Sequence, residues 1–144
     1  MNVASILKVK GKSVATARSD DTVQDVAQKL ASRKIGAIVI VGDGGHVVGI
    51  ISERDIIRVI AEQGAGGLGK LVGDVMTKNV MTCSQASTLD QMMSVMTQGR
   101  FRHVPVIEDG ALVGIISIGD VVKARIEQVE REAEDMRAYI AAAV

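Results

Sequence analysis

Residues 49–55 read Gly-Ile-Ile-Ser-Glu-Arg-Asp, and residues 114–120 read Gly-Ile-Ile-Ser-Ile-Gly-Asp. In each copy an apolar run ends in a serine with an aspartate three positions on: Ser52 with Asp55, and Ser117 with Asp120. Where such a run leads into a helix, the hydroxyl takes an amide of the first turn and the acid returns a bond to the serine amide. This is a capping box with Asp in place of Glu or Gln. The same geometry has a second use. The first amides of a helix point outward without partners and attract anions, and a carboxylate at the mouth of a cleft accepts hydrogen bonds from the cis-diol of a ribose. One short segment can thus hold a sugar and its phosphate. A single copy reads as a cap; two copies at matched places point to a ligand as well.

A basic stretch lies upstream of the second copy: Gly99-Arg100-Phe101-Arg102-His103-Val104-Pro105-Val106. Arg102 and His103 suit a phosphate, although the same residues also serve as a solvated strand end. Pro105 has no amide for a sheet ladder, which places it at an edge or a bulge with its carbonyl free to read an adenine edge, beside Val104. The first half has Gly36-Ala37-Ile38-Val39 there instead. Conversely, Arg54 in the first half stands where Gly119 stands in the second. That glycine leaves room for a phosphate against the helix backbone, while Arg54 and Arg58 supply charge. Two unequal pockets are expected, the Asp120 one being the better equipped.

The elements that must position these groups also occur twice. Ser13–Thr16 aligns with Asn79–Thr82, Thr22 with Thr88, and 38–41 with 104–107, all at an offset of 66 that drops to 65 after the Asp-Gly turns. Val3–Lys8 resembles Val72–Thr77. Each half gives a strand (near Val14–Ala17 or Val80–Thr82), a helix capped by Thr22 or Thr88, a hairpin around Asp-Gly and a second helix. The fold class is α+β: two pseudo-symmetric β-α-β-β-α repeats packed together because neither buries much alone, plus an extended C-terminal helix. The divisions are 1–70, with a flexible Gly-rich linker at 64–70; 71–126; and an extension at 127–144. In the extension Val122, Ile126, Val129, Ala133, Met136 and Ile140 follow coiled-coil spacing, which suits either a second subunit or folding back on the domain.

Composition narrows the function classes. Seventeen basic and seventeen acidic residues cancel, so no strongly basic face for nucleic acid is indicated. Lone Cys83 excludes an internal disulfide and a Cys-based zinc site, and two distant histidines make no metal site. Neither a signal peptide nor a span of ~20 apolar residues is recognisable, giving a cytoplasmic protein without a membrane anchor as the expectation. Met92, Met93 and Met96 fit core filling. Gly64, Gly69 and Lys70 match the start of a P-loop, but Leu71 replaces the Ser or Thr that would hold magnesium. No Gly-x-Ser-x-Gly elbow supports a hydrolase built on Ser117, His103 and Asp120.

The Ser-x-x-Asp endings and the His-Val-Pro-Val strand, in this order and duplicated over residues 3 to about 126, resemble the cystathionine-β-synthase (CBS) domain, here as the tandem pair called a Bateman module. The resemblance implies a regulatory sensor without catalytic activity or catalytic cofactor. It would bind AMP, ADP, ATP or NAD(H), or alternatively S-adenosylmethionine, between the repeats, act as a homodimer and report to an effector protein. It also implies site residues: Asp55 and Asp120 on ribose, Ser52 and Ser117 beside them, Arg102, His103, Val104 and Pro105 on phosphate and adenine, with Ala37 and Ile38 at the matching strand. Thr16 and Thr82 would line the base. The alternatives from other classes are a ligand-free dimeric scaffold and an NTPase using 64–70.

Overall fold

Every Ser or Thr expected to start a helix does so through reciprocal bonds in the computed structural model, which describes residues 1–143. Val144, the last residue of the 127–144 extension, lies outside the described residues. Thr22 caps α2 (Val23–Arg33) with Asp25, Ser52 caps α3 (Glu53–Gln63) with Asp55, Thr88 caps α5 (Leu89–Gly99) with Gln91, and Ser117 caps α6 (Ile118–Ala142) with Asp120. Two further helices are α1 (Val3–Lys10) and α4 (Val72–Val75).

The strands are β1 (Thr16–Ala17), β2 (Ala37–Val41), β3 (Val47–Ser52), β4 (His103–Glu108) and β5 (Ala111–Ser117). β1 runs parallel to β2, and β2 pairs antiparallel with β3; β4 and β5 form the matching hairpin. Ala37 faces Ser52 in the first hairpin and His103 faces Ser117 in the second. Register therefore sets the capping serine opposite the start of the neighbouring strand in both halves.

Two cores result, and they do not follow chain order. Ala17, Val23, Val26, Leu30, Ile38, Ile40, Ile51 and Ile56 enclose Val72 of α4. Leu89, Met92, Met96, Val104, Val106, Ile116, Val121 and Ala124 enclose Val3, Ile6 and Leu7 of α1. Each repeat thus takes its leading helix from the other's side of the chain. Backbone bonds fix the exchange: Val3 N–H donates to Ser87 O at 2.9 Å, and Val72 N–H to Asp21 O at 2.8 Å. Met92 and Met96 are buried and Met93 packs against them, as their spacing predicts.

Three expectations are corrected. The strand expected at Val80–Thr82 is absent; only Cys83 bridges to Val106. In the first half the Val39 amide donates to Ala15 O at 3.2 Å. Its counterpart is Pro105, which has no amide, so the ladder cannot extend upstream of Cys83. The Pro105 carbonyl expected to be free is likewise taken, by the Cys83 amide at 3.0 Å. Finally, 64–70 is not a flexible linker. Gly64–Gly69 forms a 3₁₀ turn whose Gly67 is buried, since a Cβ there would stand 2.6 Å from Val59 Cγ1. Lys70 is held too, its carbonyl accepting the Val23 N–H at 2.9 Å. The turn follows α3 rather than a strand, so the geometry of a P-loop is not formed.

Candidate ligand-binding clefts

Both helix starts face space that a ligand can enter. Between the repeats lies a cleft of about 520 Å³, lined from the first half by Gly36, Ile50, Ser52, Glu53, Arg54, Asp55 and Arg58, and from the second by Thr77, Arg100, Phe101, Arg102, His103, Ser117, Ile118 and Gly119. That volume falls within the roughly 300–1,000 Å³ of small-molecule sites. The capped starts of α3 and α6 meet here. In each helix the first amide is spent on the carbonyl just before the neighbouring strand, Glu53 on Gly36 O at 3.0 Å and Ile118 on Arg102 O at 2.8 Å. The third is spent on the capping serine. Among the described residues the second amide, of Arg54 or Gly119, has no such partner, which leaves a donor for an anion at each start.

Four arginines, Arg54, Arg58, Arg100 and Arg102, line the cleft together with Glu53 and Asp55. Arg100 gets there through a left-handed C-cap at φ 57°, matched in the first half by Lys34 at φ 54°. His103 reaches across: a Cβ on Gly36 would lie 3.0 Å from its Nε2. Burial lowers the His103 imidazole below its ordinary 6.5, nearby Lys10 adds to this, and Glu53 and Asp120 oppose it.

The two acids differ. Asp55 is 8% exposed, the sole buried charged residue among those described. Its Oδ2 accepts the Ser52 N–H at 2.8 Å and hydroxyl at 3.1 Å, and its Oδ1 meets Arg58 Nη1 at 3.3 Å. Asp120 does not line the inter-repeat cleft. It opens on a second groove of about 820 Å³ between α1 and α6, with Lys8, Lys10, Lys123 and Arg131 along it. Asp120 Oδ2 accepts the Ser117 N–H at 2.8 Å and the Lys10 ammonium at 2.6 Å. Lys10 Nζ also donates to Ile115 O at 2.9 Å. Burial alone would raise the Asp120 carboxyl, but the Lys10 and Ser117 donors outweigh it and hold the acid below its ordinary 3.8.

The structure therefore brings Ser52, Arg54, Asp55, Arg102, His103, Ser117 and Gly119 together and sets Asp120 apart, beside the starting turn they share. Ala37, Ile38, Val104 and Pro105 are buried in the strands, so only their backbone or the strand ends can meet a ligand. Thr16 is half-buried, its carbonyl taken by Lys29 Nζ at 2.8 Å, and Thr82 is exposed; neither lines the two clefts. Sequence reasoning missed Glu53, Thr77 and Lys10. Thr77 enters through its backbone, exchanging bonds of 2.9 and 3.0 Å with Ile50. Glu53 lies inside the repeated 49–55 stretch, and the likeness of 3–8 to 72–77 pointed toward the segments that carry Lys10 and Thr77.

Two repeats of one α+β unit, crossing helices and meeting at capped helix starts, define a tandem ligand-binding pair. A family model for the CBS domain matches residues 7–62 and again 72–127, and the chain belongs to that family. It is 36% identical to the CBS domain-containing protein CBSX3, mitochondrial, of Arabidopsis thaliana, over 96% of this chain and 71% of that one. The name of that relative places it in mitochondria, not in the cytoplasm expected from the sequence here. A crystal structure of a CBS-domain containing protein from Agrobacterium tumefaciens superposes with a TM-score of 0.84 at 50% identity, covering 87% of this chain and 99% of that one. The CBS domain pair of protein MJ0100, in complex with 5′-methylthioadenosine and S-adenosyl-L-methionine, superposes with a TM-score of 0.79 at 28% identity, covering 89% and 98%. CBSX2 in complex with AMP gives 0.69 at 26% identity, covering 79% and 88%. Among the described residues no helix is long and apolar enough to cross a membrane.

Proposed function

We propose that this chain is a non-catalytic sensor that binds a phosphate-bearing adenosine ligand (AMP, ADP, ATP or NAD(H)) between its repeats and reports its presence to an effector protein. The observation that carries this reading is the inter-repeat cleft itself. Two helix starts, each with an amide to spare, converge there with Arg54, Arg58, Arg100 and Arg102. That arrangement suits a phosphate, while the Asp55 carboxylate suits a ribose there and Asp120 offers the same kind of acceptor to the neighbouring groove between α1 and α6. Relatives of the same fold bind AMP or S-adenosylmethionine with 5′-methylthioadenosine, which supports an adenosyl ligand without choosing among them. The arginines favour the anionic members of that set.

A homodimer belongs to this reading. Ile57 and Ile60 on α3, and Val122, Ile126, Val129, Met136 and Ile140 on α6, are exposed apolar residues along two helix faces. Burying such faces against a second copy removes apolar surface from water. Signalling then follows from differential affinity: a ligand shifts the module's conformational balance only as far as it prefers one form.

Calorimetry with AMP, ATP, NADH and S-adenosylmethionine tests the proposal. Binding of at least one phosphate-bearing ligand, weakened by added salt, is expected. Saturable binding of S-adenosylmethionine alone would transfer the reading to that ligand. Binding of none, with an intact dimer, would leave the ligand-free scaffold, and phosphate release from ATP would revive the NTPase.

A further inference from the structure

Lys10 joins two parts of the fold that chain order keeps 110 residues apart. It ends α1, the helix that packs in the core of the other repeat, and its ammonium is fixed from two sides by Asp120 Oδ2 at 2.6 Å and Ile115 O at 2.9 Å. Among the described residues no equivalent exists in the first half. There α4 stops at Val75, and the Thr77 backbone bonds to Ile50, the counterpart of Ile115. Asp55 has only Arg58, three residues away on its own helix. The two acids, alike in sequence, thus carry counter-ions of different origin.

Resting on the adenosyl reading above, we infer that Lys10 selects the charge of the ligand that Asp120 accepts. A ribose diol must donate to the Asp120 carboxylate. One of its oxygens already accepts both the Ser117 amide and the Lys10 ammonium. A diol that takes this acceptor displaces the ammonium but cannot send it far, because α1 is anchored in the core by Val3, Ile6 and Leu7. The released charge stays within reach of the sugar, a Lys side chain spanning roughly the distance from a ribose diol to its 5′ substituent. A 5′ phosphate gives it a new partner. A neutral 5′ hydroxyl leaves it unpaired, and a 5′ sulfonium repels it. Lys8 and Lys123 on the same groove add to that preference.

The experiment compares AMP, adenosine and S-adenosylmethionine by calorimetry on the full chain, as wild type, Lys10→Met and Lys10→Arg. Lys10 is partly exposed, so both variants are expected to fold, which thermal unfolding checks. The wild type should prefer AMP over adenosine; Lys10→Met should cut that preference by about tenfold or more and improve S-adenosylmethionine binding relative to AMP, while Lys10→Arg restores the order. If the wild type binds AMP and Lys10→Met leaves the ratios unchanged, the role of Lys10 is overturned and the adenosyl reading stands. If the wild type binds none of AMP, adenosine and S-adenosylmethionine, and ATP and NADH fail as well, the adenosyl reading falls and takes this inference with it.

Discussion

Leu7 of the first helix rests on Gly114 of the last strand, so closely that a Cβ added to the glycine would stand 2.7 Å from Leu7 Cδ2. Met76 meets Gly49 in the same way in the other half. These are the two glycines that open the repeated Gly-Ile-Ile-Ser segment. Each is the floor on which the exchanged helix segment lies, while Ile51 and Ile116 fill the cores and the serines cap the helices. Gly114→Ala should therefore destabilise the chain by about 1–3 kcal/mol through overpacking, measured by denaturant unfolding. Met76 is a flexible side chain able to move aside, so Gly49→Ala should cost less than Gly114→Ala; the reverse order would place the strain elsewhere.

The carboxylates have separable structural and binding roles. Asp120→Ala removes the acceptor of the Ser117 amide and of Lys10, and Asp55→Ala that of Ser52. Each should cost about 1–2 kcal/mol of stability, Asp55 more because it is buried. Ligand affinity should fall by more than that loss accounts for. Calorimetry below the melting transition checks it: retained affinity in both variants would mean that the acids are caps only.

Arg100 offers a test in which stability and binding move in opposite directions. It occupies the left-handed region, where a side chain costs about 1 kcal/mol relative to glycine, and it lines the inter-repeat cleft. Arg100→Gly should raise the melting temperature while weakening binding of a phosphate-bearing ligand. Lys34→Gly, at the matching cap away from this cleft, should raise it with binding unchanged. Thermal scans with and without AMP give both readings.

The sequence made local features legible because their causes are local. A serine and an aspartate three positions apart form a capping box wherever a helix starts, and Asp-Gly between apolar runs makes a hairpin in any context. What it hid was set by tertiary partners. The shared glycines were visible as letters, but their reason, Leu7 and Met76 crossing from distant segments, was not. Nothing near Lys10 announces Asp120. Val80–Thr82 carries the apolar and β-branched residues of a strand, yet the residue that forbids the ladder is Pro105 on the neighbouring strand. The same distance effect divided the site: Ser117 and Asp120 are one helical turn, but they face different spaces.

Acid should weaken the fold through two groups whose folded forms resist protonation. His103 is held below its ordinary 6.5 by burial and by Lys10 and Arg102, against Glu53 and Asp120. The unfolded chain then binds the proton first, so stability is full above about pH 6.5 and declines as pH falls below it. Asp120, held below 3.8, adds stability above that value which is lost as pH drops toward its folded pKa. His103→Gln should flatten the first decline and leave the second; chemical denaturation between pH 7 and 3 resolves the two.

If the chain forms the proposed homodimer, the last helix is its expected seam. Val122, Ile126, Val129, Met136 and Ile140 are each about half exposed, and all lie on one seam of the 25-residue α6. A helix of this length projecting from its domain gains little from propensity alone, because most helical stability comes from packing an apolar face. In the proposed homodimer a partner helix would supply that packing, and the self-complementary choice is the same seam of a second copy, closing a two-fold dimer. Ile57 on α3 stands at the position matching Val122 and is exposed as well. Ile126→Glu puts a charge at the centre of the seam and should shift the dimer to monomer by at least tenfold in dissociation constant, a desolvated charge costing more than the 1.4 kcal/mol that this requires. A chain ending at Arg125 should do the same while keeping both repeats folded. Sedimentation equilibrium measures both, and an unchanged dimer in the shortened chain would move the interface to Ile57 and Val122 alone.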